Sequence, residues 1–291
     1  LRSAGTAYDR PTNAKEVRGL VISDTHDLFM DPLGRRAFVA EAATGEYHFI
    51  SLNGDIYDFY EVSKYVKAPQ WMNFQAARDF NRQFFYELRE AAPDAQIDLI
   101  EGNHEYRFIK KCMEIPEMGE AMGLTGFDLP RLFRFDDLEM NYVGEKDFRM
   151  AEKPKWVVDP AAPQGKFYYK AFFVTHLPNF HKNAGVPGTH GHVHKFNAMQ
   201  KYSLTHGNHH WWVTGAGCLR KAEYARGGTM LWNSGFLSVV INRRTDPGIT
   251  KAQWHQADDD IRVNGRIYIR EEHEKVGSDD VVEYNRRIIT P

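Results

Sequence analysis

Residues 189–196 read THGHVHKF, with His190, His192 and His194 at alternate positions. Alternate side chains of an extended segment point to one face, so this spacing can present imidazole nitrogens to a shared metal ion. Four polar clusters precede it: Asp24 and His26 in VISDTHD, Asn53, Gly54 and Asp55 in SLNGD, Gly102, Asn103, His104 and Glu105 in EGNHE, and His176 in FVTHLP. Imidazoles mixed with carboxylates suit Mn, Fe, Zn, Co or Ni better than Ca. No GxSxG or P-loop supplies a protein nucleophile or a phosphate cradle of another kind.

Each of the four clusters closes a short apolar run: VRGLVIS, YHFISLN, QIDLIE and YYKAFFVT. Such runs read as buried strands, and the segments near 33–44 and 72–92, the latter closed by Pro93, have helical character. Strands alternating with helices imply α/β layering, in which groups at the carboxyl ends of the strands converge. After His176 the pattern turns to strands in GTHGHVHK, QKYSLTH, HHWWVTGAG and GFLSVVINRR, which are expected to form a second sheet packed on the first. Past Thr245 the chain becomes charged, with Asp258, Asp259 and Asp260 in a row, and Asn264-Gly265 signals a hairpin. The expected division is an arm over 1–16, a main domain over 17–245, and a hairpin and tail over 246–291 packed on the core.

The chain has 291 residues, 42% of them apolar, enough for a sizeable core. A formal charge of −2 gives no overall attraction to nucleic acid or acidic membranes. Cys112 and Cys218 are too few for a disulfide framework and read as buried thiols in a reducing compartment. With no membrane-spanning apolar run and no apolar signal core at the start, a cytoplasmic location is expected. Oligomeric state leaves no trace in the sequence.

In order, the clusters spell D-x-H, G-D, G-N-H-E, a lone His and G-H-x-H. This series resembles the calcineurin-like metallophosphoesterase family and spans residues 24–194, about two thirds of the chain. The resemblance implies a four-layer αββα sandwich of two mixed sheets flanked by helices, with the family domain over 17–245. It implies two divalent ions, Mn first, with Fe, Zn, Ni, Co or Mg as alternatives. Asp24, His26 and His194 would hold one ion, Asn103, His176 and His192 the other, and Asp55 would bridge them and offset their repulsion. His104 would face the substrate and protonate the departing oxygen, with a metal-bound water or hydroxide as nucleophile.

Several residues carry competing readings. His181 also lies near the fourth run, but His176 follows it directly. His190 precedes Gly191, outside the G-H-x-H pair, and reads as a supporting residue. Asp58 completes GDxxD and either binds a ligand histidine or caps a turn; Arg107, with Lys110 and Lys111, either attracts an anion or forms a solvated face. Gly207-Asn208-His209-His210 repeats GNH out of order and reads as surface. The Tyr57–Tyr60 stretch, Trp211 and Trp212 could form a substrate wall but read better as packing.

The phosphoprotein phosphatases of this superfamily carry Arg where this chain has Phe59, which disfavours that branch. The reading is a metal-dependent phosphoester hydrolase, acting on phosphodiesters, with a nucleotide or nucleic acid among its possible substrates. The alternatives are a nuclease of the DNA-repair exonuclease type, a small-molecule phosphomonoesterase and a non-catalytic binding scaffold.

Overall fold

The computed structural model describes residues 9–62, 73–114, 117, 129–144, 165–178, 185–219, 232–244, 248–277 and 280–289. His181 lies outside them. Three apolar runs become neighbouring parallel strands: β1 (Glu16–Ile22), β2 (Phe49–Asn53) and β3 (Gln96–Ile100), with β4 (Met140–Val143) parallel beyond β3. Their shared direction puts the loops carrying Asp24, Asp55 and Asn103 at one edge of the sheet. Strands buried on both faces read as largely apolar runs, as residues 19–22 of β1 and most of β2 do.

The second sheet holds β5 (Gly165–Tyr168), β6 (Phe172–Thr175), β7 (Gly188–His190), β8 (Asn197–Ser203) and β9 (Gly207–Val213), in the order β5-β6-β7-β9-β8. β10 (Gly235–Asn242), expected in this sheet, instead pairs antiparallel with β1 in the first. The run before His176 is a hairpin of β5 and β6, so His176 enters the site from the second sheet. The boundary drawn at 245 falls between β10 and β11 (Ile249–Gln256), which pair along eight residues, so the C-terminal segment supplies an edge strand of the main sheet. The hairpin of β12 (Asp260–Val263) and β13 (Arg266–Ile269) follows, turning at Asn264 and Gly265 with φ of 48° and 83°. Positive φ at both central positions is the type I′ geometry that Asn-Gly favours.

Alternation along the strands sorts two cores. Val17, Val21 and Phe49 face the second sheet and meet Tyr168, Phe172, Val174 and Trp212, with Phe49 and Tyr168 stacked at 4.0 Å between ring centroids. Leu20, Ile22 and Leu52 face the helices α1 (Pro32–Ala42) and α2 (Phe74–Ala91). In α2 the i, i+4, i+8 series Phe80, Phe84 and Leu88 is fully buried. Each such side chain contributes about 2 kcal/mol of burial free energy. The architecture is therefore α/β with two large mixed sheets packed face to face and helices on the outer face of the first. Among the described residues no helix covers the outer face of the second sheet.

The first turn of α1 is tied to the C-terminal segment. Asp31 caps the helix by accepting from Leu33 N at 3.1 Å, and it receives Arg270 through both terminal guanidinium nitrogens, at 2.8 and 2.9 Å. The Asp31 side chain is 1% exposed and that of Arg270 10%. Breaking such a pair strands a buried charge. Arg270→Leu should therefore lower unfolding free energy by about 3 kcal/mol, read as a drop in the urea midpoint. Adding Asp31→Asn should recover part of that loss, and an unchanged midpoint in Arg270→Leu would remove the pair from the account of stability.

Candidate metal centre

The strand-end loops assemble one polar cluster between the sheets. Asp24 and His26 follow β1, Asp55 follows β2, and Asn103 and His104 open the helix α3 (Asn103–Glu114) after β3. From the second sheet, His176 follows β6, and His192 and His194 follow β7. Asp24 Oδ1 is 3.0 Å from His194 Nε2, and His194 Nε2 is 3.3 Å from His26 Nε2. Asp55 Oδ2 is 3.2 Å from His176 Nε2 and 3.7 Å from His104 Nε2. His176 Nε2 also approaches Asn103 Oδ1 at 3.0 Å.

The backbone departs from ordinary conformation to bring these groups together. Asp24, His26, Asp55, His192 and His194 have φ of 54°, 52°, 48°, 72° and 56°. These left-handed values are uncommon outside glycine, though Asp, Asn and His tolerate them best. Gly191 must be glycine for a different reason: a Cβ there would collide with Ser23 Oγ and the Asp24 carboxylate. That close approach lets His192 N donate to Asp24 Oδ2 at 3.0 Å.

Two residues sit behind the cluster. Asp58 Oδ1 lies 3.0 Å from His26 Nδ1 and 3.2 Å from His104 Nδ1, and the Asp58 carbonyl is 2.7 Å from that same His104 nitrogen. A carboxylate at Nδ1 holds the proton there and leaves Nε2 of His26 as a lone pair. Glu105, unremarked in the sequence beyond its place in GNHE, accepts from four backbone N–H groups: Asp55, Ile56, Tyr57 and Gly102, at 3.0, 2.9, 3.1 and 2.9 Å. It pins the loop after β2 to the start of α3. Cys218 is the other residue that motif reasoning does not find near the cluster, grouping with His26 and His194.

The remaining expected residues lie further out. Arg107 Nη2 donates to the Asp58 carbonyl at 3.3 Å, at the edge of the cluster. His190 accepts from the indole of Trp211 at 2.7 Å and belongs to none of the metal-capable groups. Trp211 and Trp212 are buried packing, as are Tyr57 and Phe59. The repeated GNH at 207–209 opens β9; His209, expected at the surface, is instead buried, with its Nδ1 3.0 Å from Gly207 O.

Electrostatics separates the imidazoles. Burial disfavours charge on His104, but Asp55 and Asp58 outweigh it and raise its pKa to about 9. His176 behaves alike: against burial, Asp55 and Asp24 raise it to about 10. His26 moves down, mainly through burial, as does His192. Asp55 is held well below the usual carboxylate range, burial being outweighed by His104 and His176.

The donors fit divalent ions. Among the described residues, Asp24, His26 and Asp55 can bring one ligand atom each within 4.8 Å of one another, and so can Asp55, His176 and His192. Buried imidazole nitrogens and carboxylate oxygens suit Mn, Fe, Zn, Co or Ni. No helix among the described residues is long and apolar enough to cross a membrane.

No protein-family model matches the chain, and no curated protein does. Solved structures do. A metallophosphoesterase from Sphaerobacter thermophilus is similar at 14% identity and TM-score 0.38, over 83% of this chain and 88% of that one. A conserved uncharacterized protein of Streptococcus pneumoniae, described as a predicted phosphoesterase, is similar at 13% identity and TM-score 0.30, over 82% and 98%. Vacuolar protein sorting 29 of Cryptosporidium parvum is similar at 9% identity and TM-score 0.36, over 83% and 99%.

Proposed function

We propose that this chain is a metallophosphoesterase of the calcineurin-like family, a hydrolase that uses two divalent ions to cleave phosphodiesters. The supporting observation is that two metal-capable groups, Asp24–His26–Asp55 and Asp55–His176–His192, share one carboxylate. A shared carboxylate is what two closely spaced cations need to offset their repulsion. Asp24, His26 and His194 would hold one ion, Asn103, His176 and His192 the other, and Asp55 both. The ions would polarise the phosphoryl oxygens and make a bound water acidic enough to act near neutral pH.

The chain's own residues supply the rest. His104, held at Nδ1 by the Asp58 carbonyl, offers Nε2 on the side of Asp55, where a protonated ring can stabilise phosphoryl charge and deliver a proton to the leaving oxygen. Asp58 fixes the rings of both His26 and His104. Arg107, half-buried at the edge, would draw an anionic substrate toward His104.

The test compares bis-p-nitrophenyl phosphate with p-nitrophenyl phosphate on manganese-loaded protein, with metal content measured in parallel. Two ions per chain and a preference for the diester are expected. Preference for the monoester would overturn the substrate class but not the metal site. Fewer than one ion per chain after reloading would leave the two-ion reading without support.

A further inference from the structure

Cys218 belongs to none of the sequence blocks, yet the fold carries it to the cluster. Gly217 N donates to Ser23 O at 2.6 Å, Asp31 N to Gly217 O at 2.9 Å and Leu219 N to Phe29 O at 3.0 Å, and Met30 and Cys218 form an antiparallel bridge. These bonds clamp the segment around Cys218 onto the backbone on either side of Asp24 and His26. The thiol is 1% exposed. A buried thiol is ordinarily a small apolar packing group. This one instead groups with one ring nitrogen each from His26 and His194, the three ligand atoms all within 4.8 Å of one another.

We propose that Cys218 is a further ligand to the ion held by Asp24, His26 and His194, so that the two metal positions differ in kind, one with sulfur and one with nitrogen and oxygen alone. The inference rests on the two-ion reading. Two donors across one ion, a nitrogen at ~2.1 Å and a sulfur at ~2.3 Å, are at most ~4.4 Å apart, so side-chain adjustment alone closes the site. On binding, the S–H bond breaks, its proton leaves to solvent, and the thiolate electron pair forms the sulfur–metal bond. No oxidant or reductant is involved. A thiolate would bias this position toward zinc, iron or cobalt over magnesium or manganese. Asn103, His176 and His192, without sulfur, would exert a weaker bias at the other position.

Cobalt(II) is the probe, because thiolate ligation adds a near-ultraviolet charge-transfer absorption that nitrogen and oxygen ligands lack. Metal-free protein would be titrated with cobalt while bound metal and the absorption spectrum are recorded. The charge-transfer band should grow with cobalt in the wild-type chain and be absent from Cys218→Ser and Cys218→Ala. Zinc affinity in Cys218→Ser should fall by about 10- to 100-fold, the range seen when support for a metal site is removed. Two bound cobalt ions without a charge-transfer band would overturn the Cys218 assignment and leave the two-ion reading standing. No bound cobalt would overturn both, and a band that persists in Cys218→Ser would overturn the Cys218 assignment. Should either variant fail to fold, the other decides, and Cys112→Ser protein should keep the band; its loss there would overturn the assignment.

Discussion

His104→Ala protein is expected to keep its metal content and to lose turnover by about a hundredfold or more, the lower range for removal of a general acid. The geometry separates the two properties. His104 Nδ1 is occupied by the Asp58 carbonyl at 2.7 Å, and Nε2 stands 3.7 Å from Asp55 Oδ2, a longer reach than the 3.2 Å of His176 Nε2 to the same oxygen. The ring sits edge-on to His26 with centroids 4.8 Å apart, beside the ligand cluster. Its removal therefore leaves the expected ligands in place. Steady-state kinetics on the diester, combined with elemental analysis of the same samples, checks this. Loss of an ion from the variant would make His104 a ligand, and undiminished turnover would remove it from the chemistry.

Glu105→Ala should be the most damaging single change to the site's frame. Both carboxylate oxygens are fully used, each by two backbone donors, and the side chain is buried. Each buried N–H left without an acceptor costs roughly 1–3 kcal/mol, and with partial relaxation the total loss should be on the order of 4 kcal/mol. One of these donors is the amide of Asp55 itself, so metal affinity should fall by about 10- to 100-fold along with stability. Glu105→Gln keeps one oxygen acceptor but turns an NH2 group toward two N–H donors, and should fall between wild type and alanine. Urea unfolding and metal titration of the three proteins would read both effects. Equal stability of all three would mean that the loop after β2 is held by something other than Glu105.

The convergence of Asp24, His26, Asp55, Asn103, His104 and His176 was legible because each lies just past an apolar run, and strand ends meet; His192 and His194 were legible only through the G-H-x-H spacing. Sheet membership was not. β10 is buried along most of its length whichever sheet it joins, so its pattern does not tell which neighbour it pairs with. The alternation that would put His190, His192 and His194 on one face holds only while the chain stays extended. β7 stops at His190, and the positive φ values of His192 and His194 turn the chain away from that pattern. Glu105 escaped notice because a glutamate in the first turn of a helix ordinarily faces solvent and favours the helix dipole. Cys218 has no neighbours in sequence that mark it, since only backbone pairing to the segment after Asp24 brings it near.

The left-handed residues around the cluster set a direction for selection. At Asp24, His26, Asp55, His192 and His194 the backbone conformation costs roughly 1–2 kcal/mol each relative to glycine. Glycine would relieve that strain, but at Asp24 it would strand His192 N and His194 and at His26 it would strand the Asp58 carboxylate, so neither change is a simple gain in melting temperature. On the proposed function, selection for catalysis would keep the donors in place as well. Backbone strain and the proposed chemistry thus meet at a handful of strand ends, and the rest of the fold is where durability can be improved without touching the donors.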